Sequence, residues 1–184
     1  MMHLKSKFRA KQRGNFTVEF AVIGIVFSFL LVFSGDVIVK LSVKGKLDRL
    51  SYSLVNVLKE RTQLYGEDYE ITSGEARALY NIAQNSLVRT LSSYESGRFG
   101  AFVEEQTFRD IGQPNPLNTF NVGTRTCAVE ASLAQLTNLS VVTSWGRQAT
   151  LYRVTFCYET NNWIGDLLGE NFTTVSSSSV MIGR

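Results

Sequence analysis

The chain has 184 residues, 44% of them hydrophobic and 19% charged, with 14 Gly and only 2 Pro. That length holds one ordinary domain plus a specialised segment, and the balance excludes a disordered, collagenous or disulfide-dense protein. The formal charge of +3 is concentrated in Lys5, Lys7, Arg9, Lys11 and Arg13, all within a leader of fourteen residues that contains no acid. Without those five, 14 Lys and Arg stand against 16 Asp and Glu, a net of −2 after Gly14. A general nucleic-acid binder is thereby disfavoured, because phosphate binding needs a basic surface in the working domain. The only histidine is His3, inside the leader.

After the leader, residues 20–35 are uncharged and almost wholly apolar. As a helix they span about 24 Å, short of a hydrocarbon core of about 30 Å. Adding residues 16–18 and 37–39 brings the length to about 36 Å and places Glu19 inside the apolar segment. Three readings compete. Residues 32–34 before Gly35 form a poor version of a signal-peptidase site. An uncut signal anchor is the second, although Lys40, Lys44, Lys46 and Arg49 beyond the run weaken its positive-inside argument. The third starts from the carboxylate, since an acid in an apolar segment costs several kcal/mol and marks a partner or a pathway.

The third reading has a sequence signature. The string Arg13-Gly14-Asn15-Phe16-Thr17-Val18-Glu19-Phe20-Ala21 resembles the type IV prepilin processing motif, and most closely the TadE/TadF pilin-like proteins of the tight-adherence (Flp) pilus system. The resemblance implies cleavage after Gly14 by a prepilin peptidase, a new N-terminus at Asn15, and Glu19 as the fifth mature residue. Phe20 stands where the major pilins of that system commonly have Tyr, which fits a minor pilin or pseudopilin. The organisation implied is a leader over 1–14, a transmembrane assembly helix over 15–40 and a periplasmic head over 41–184. The implied role is pilus assembly or initiation at the bacterial inner membrane, with a TadE-like partner, and through it adherence and biofilm formation. Glu19 would pair with an Asn15 α-amine, whose reference pKa is about 7.7–8.0, so that neither charge is buried alone. The alternative is a signal-anchored periplasmic ligand-binding or sensory domain unrelated to pili.

Apolar periodicity continues past Asp36. Leu41, Leu47, Leu50, Leu54 and Leu58, with Val43 and Val57, form a helical stripe that reads as core packing. Gly35 and Gly45 each cost about 1 kcal/mol against Ala without forbidding a helix. A helix over 16–62 would be about 70 Å long. Residues 65–68 read as a turn, and Thr72 with Glu75 as a capping box opening a helix over 73–92, with Ala76, Leu79, Tyr80, Ala83, Leu87 and Leu91 at helical spacing. The glycines and prolines of 94–124 predict loops with one short strand over 99–103. Strands are expected over 125–133, 140–145, 152–158 and 172–182, with a turn and a short helix over 161–169. Alternation over 152–158 predicts one face in the core. The order defines an α+β head with an antiparallel sheet of about four strands. Residues 175–184 also resemble the C-terminal stretch of TadF-like sequences.

Cys127 and Cys157 lie thirty residues apart. In an oxidising periplasm they form a disulfide, closing a loop worth roughly 3–4 kcal/mol; without export they are two buried thiols. Two Cys with no His leave too few ligands for zinc, and the spacing is not that of a CxxC redox pair. No cofactor is implied. No catalytic site is read either: the leader holds the only His, no phosphate-binding loop is present, and Glu104-Glu105, like Asp68 and Glu70, reads as solvated surface charge. The sequons at Asn138 and Asn171 receive no role, and Ser176 to Ser179 read as one polar-faced strand.

Overall fold

The structure, a computed structural model, describes residues 13–60 and 70–183. Residues 1–12 of the basic leader, the turn at 65–68 and the last residues of the predicted first helix lie outside the described residues. Helix α1, Arg13–Lys59, is unbroken. Its interior glycines, Gly24, Gly35 and Gly45, face open space. From Asp36 onward α1 turns one stripe into the head: Val43, Leu47, Leu54, Val55 and Leu58 are buried, and Leu50 packs against them. Leu41 and Val57 do not join the stripe; they are 64% and 49% exposed.

Helix α2, Ser73–Thr90, opens on the capping box: Glu75 N–H donates to Thr72 Oγ1 and Thr72 N–H donates to the Glu75 carboxylate. Ala76, Leu79, Ala83 and Leu87 are buried on its core side. The sheet comprises β1 (Phe99–Gln106), β4 (Asn118–Gly123), β5 (Leu151–Glu159) and β6 (Thr174–Ile182), all antiparallel, in the order β4-β1-β5-β6. A small hairpin of β2 (Phe108–Asp110) and β3 (Gln113–Pro114) stands apart. Helix α3, Trp163–Leu168, connects β5 to β6. Helix α1 lies across β5 and β6, and α2 across β1 and β4. Phe99, Val103, Tyr152, Val154 and Phe156 belong to the core cluster that both helices cover. Burial, with Tyr80 alongside, pushes the Tyr94 hydroxyl up to about 12, so this edge of the core stays neutral.

Three expectations are corrected. Strands do not form over 125–133 and 140–145. Both sides of β1 and β5 are already paired, by β4, by each other and by β6, and neither segment adds to the outer edges of the sheet. Residues 125–132 instead cross the outer face of the sheet, ending in a 3-10 turn at Leu133–Leu139, while 140–149 makes a tight turn with one bridge, Val142 to Gln148. The loops expected over 94–124 hold more strand than predicted: β1 extends to Gln106, and β4 adds an edge on which Phe120 and Val122 reach the core.

The crossing segment is also why β5 is buried on both faces, not one, and why Glu104 is not a surface charge; Glu105, on the opposite side of β1, is covered by the chain at Ile71. Both are buried; Glu104 pairs with Arg153 and accepts from Leu133 N–H, and Glu105 accepts from Ile71 N–H. Arg153 also donates to the Ala131 carbonyl at 2.7 Å. A Cβ on Gly100 would collide with the Arg125 carbonyl, so only glycine lets this segment lie so close to β1. A disulfide joins Cys127 of the segment to Cys157 of β5, with Cα atoms 5.5 Å apart. Replacing both cysteines by Ala is expected to cost about 3 kcal/mol through the thirty-residue loop. A lower urea midpoint checks this; an unchanged midpoint would mean the buried ion pair alone holds the segment.

Candidate assembly helix and its junction with the head

Residues 16–34 of α1 are exposed at every position, including Phe16, Phe20, Ile23, Phe27 and Leu31 at 60–71%. Nineteen helical residues give about 28 Å, close to a hydrocarbon core. Both serines inside this stretch bond their own helix: the Ser28 and Ser34 hydroxyls donate back to the Gly24 and Leu30 carbonyls, each at 2.8 Å. That arrangement suits lipid, where no water is available. Gly14 and Asn15 fall in the first turn of α1, and Glu19 follows one turn later on the exposed surface. Phe16 and Phe20 stack beside it with ring centroids 6.3 Å apart.

The bare half also carries a feature that hydropathy alone does not reveal. Thr17, Ala21, Gly24, Ser28 and Gly35 recur at spacings of three, four and seven, forming a narrow strip of small residues. Such strips let helix backbones approach closely in membranes. At 3.6 residues per turn the strip lies on the opposite side of α1 from Glu19. The signal was available in the spacing, but the bulk of the surrounding Phe, Ile and Leu conceals it.

The junction begins at Asp36, the first buried residue after Phe16. Lys40 Nζ donates to Asp36 Oδ2 at 2.5 Å. Beyond it, a row of polar contacts sets the register of α1 on β6. Lys44 Nζ donates to the Ser176 carbonyl at 2.9 Å, and Ser51 Oγ bonds the hydroxyls of Ser177 and Ser179 at 3.1 and 2.9 Å. Ser177 also donates to Asp48. Burial pushes the Asp48 carboxyl up, but the Ser177 hydroxyl and Lys44 outweigh it and leave the pKa lowered, so Asp48 stays ionised. Lys46 Nζ caps the C-terminal end of α2 at the Thr90 carbonyl, 2.6 Å away. The serine run of β6 is therefore not one polar face: Ser177 turns to α1, while Ser178 bonds Thr155 on the other side. At the far end of the head a groove of about 840 Å³ lies between the β2–β3 hairpin and the turn at 143–147, lined by Arg109, Trp145, Arg147 and Tyr152.

A helix bare and apolar along its first half, long and apolar enough to cross a membrane, and built into an α+β head along its second, fits a membrane-anchored protein with a folded head. The chain belongs to the TadF family, described as "Putative tight adherence pilin protein F", which it matches over residues 7–184. It is thus a component of the tight adherence pilus system. No curated protein and no solved structure is significantly similar to it.

The junction pair generates a test. Lys40→Ala leaves the Asp36 carboxylate buried without its cation and is expected to cost about 3 kcal/mol. Asp36→Leu combined with Lys40→Met should recover most of that loss. Urea unfolding of the detergent-solubilised protein reads both, and a double variant no better than Lys40→Ala would show that the pair is not the source.

Proposed function

We propose that the protein is a minor pilin-like subunit that acts in assembly or initiation of the tight adherence pilus, and so in adherence and biofilm formation. The observation that carries this reading is the exposed apolar half of α1 with Glu19 one turn past Gly14, in a chain of the TadF family. In this reading a prepilin peptidase removes residues 1–14, and Asn15 becomes the N-terminus. Residues 15–40 cross the bacterial inner membrane, and residues 41–184 stand in the periplasm, where the Cys127–Cys157 disulfide suits the oxidising compartment.

The mechanism is non-covalent. Mature α1 offers neighbours two unlike sides, Glu19 on one and the small-residue strip on the other. Close backbone packing along the strip supplies contact, because the hydrophobic effect does not drive helix association in lipid. The Glu19 carboxylate meets the α-amine of Asn15 on a neighbouring subunit, which sets relative height as a buried polar residue sets coiled-coil register. The head contacts other pilus components, a TadE-like subunit foremost. The distal groove, with Trp145 88% exposed on its rim, supports such a contact. Pilins are structural proteins, and the role involves no chemistry after processing.

Glu19→Ala is expected to leave the disulfide-linked head folded while weakening each subunit contact by roughly 3 kcal/mol, enough to suppress piliation. Counting surface pili alongside protease resistance of the head checks this. Normal piliation with a folded head would remove Glu19 from the mechanism.

A further inference from the structure

The chain between β5 and β6 is a loop held open by one buried side chain. Asn162, 8% exposed, donates from Nδ2 to Asp166 Oδ1 at 2.9 Å and to the Glu170 carbonyl at 2.8 Å. Its Oδ1 accepts from Phe172 N–H at 3.1 Å. Thr160 closes the base of the loop, donating from N–H and Oγ1 to the Thr173 carbonyl at 2.8 and 2.9 Å. Gly165 is required there, since a Cβ would run into the Asn162 amide and the Glu170 carbonyl. This frame leaves Trp163 and Phe172, on either side of the Asn162 clamp, 57% and 56% exposed. A rigid loop that buries an asparagine and presents two large aromatic rings marks a contact surface.

Its position in the fold identifies what it touches. Strands β5 and β6 pair Glu159 with Thr174 at one end and Leu151 with Ile182 at the other. Lys44 reaches Ser176 while Ser51 reaches Ser179, so β6 ascends with α1 and the loop hangs from the end nearer Asp36. Helix α3 packs on α1 itself. The twenty residues from Phe16 to Gly35 give about 30 Å of helix, the thickness of a hydrocarbon core. Exposed apolar side chains on α1 continue through Ile38 and Val39 to Leu41 at this level. The loop therefore lies where acyl chains give way to headgroups, the depth at which tryptophan collects because its ring is apolar and its N–H is not. Asp166 and Glu170 in the same loop would be costly any deeper.

We propose that the α3 loop is an interfacial foot: Trp163 and Phe172 seat in the phospholipid headgroup layer of the membrane that α1 spans, fixing the height and tilt of the head. This rests on the membrane-spanning reading of α1. The chain has two tryptophans, Trp163 in the foot and Trp145 at the opposite end of the head, so each can be observed alone.

The experiment places full-length Trp145→Phe and Trp163→Phe variants in phosphatidylcholine vesicles carrying lipids brominated near the glycerol end or near the middle of one acyl chain. A third variant, Phe27→Trp with both native tryptophans replaced by Phe, reports the span. Trp163 is expected to emit at shorter wavelength than Trp145, to lose most of its emission to the shallow bromolipid and to resist aqueous iodide. Trp145 is expected to show the reverse, and the Phe27→Trp span reporter to respond to the deep bromolipid. Trp163 quenched by iodide and untouched by bromolipid, with the span reporter quenched, would overturn the foot alone. A span reporter that no bromolipid quenches would overturn the membrane reading and the foot with it.

Discussion

One uninterrupted helix has to satisfy lipid along its first half and a protein core along its second. Everything else in the molecule is arranged around the point where that change occurs. Before Asp36, α1 is exposed and largely apolar on all sides and returns the Ser28 and Ser34 hydroxyls to its own backbone. After Asp36 it is one-sided, with Leu47 and Val55 fully buried and Lys44, Lys46 and Ser51 bonded to β6 and α2. No flexible hinge separates the halves, so whatever holds the membrane half in place also orients the head. A displacement of packed helices in the membrane is transmitted to the heads as a rigid movement.

The head answers this with polar contacts that are specific in register where the apolar core is not. Val43, Leu47 and Leu54 would bury nearly as well if α1 slid along the sheet. The pairing of Ser51 with Ser177 and Ser179, of Asp48 with Ser177, and of Lys44 with the Ser176 carbonyl would not survive such a slide. The opposite face is treated in the same manner. Residues 125–139 cover it, and the Glu104–Arg153 pair, the Ala131 carbonyl and the disulfide hold them in one place. Buried ion pairs contribute little net stability against apolar replacements, but breaking one is costly, and that cost opposes wrong packings.

What was legible in the sequence divides along physical lines. Helices α1 and α2 were readable because periodicity, the Thr72–Glu75 box and the Asp36 break act locally. Strands β5 and β6 were readable from their alternation and their serine and valine content. The segments over 125–133 and 140–145 looked like strands, since their local composition suits extended backbone; the first is held instead on the outer face of the sheet by contacts with Glu104, Arg153 and Cys157 that are remote in sequence. β4 was hidden because the glycines and prolines of 94–124 read as loop, and only pairing with β1 makes the alternation of Phe120 and Val122 count. Glu104 and Glu105 were misread for a related reason: nothing near them in the chain announces Arg153 or the Ile71 N–H. At the candidate site, Gly14, Asn15 and Glu19 form a local signature. The small-residue strip and the aromatic foot depend on helix phase and on a loop fold that a linear reading does not display.

The most direct measurement is the intact mass of the protein extracted from bacterial membranes. Cleavage after Gly14 yields a chain starting at Asn15, with the whole apolar half of α1 still joined to the head. A chain starting at Met1 would contradict pilin-type processing, and one starting at Gly35 would mean that the helix is severed where lipid and core are meant to be coupled.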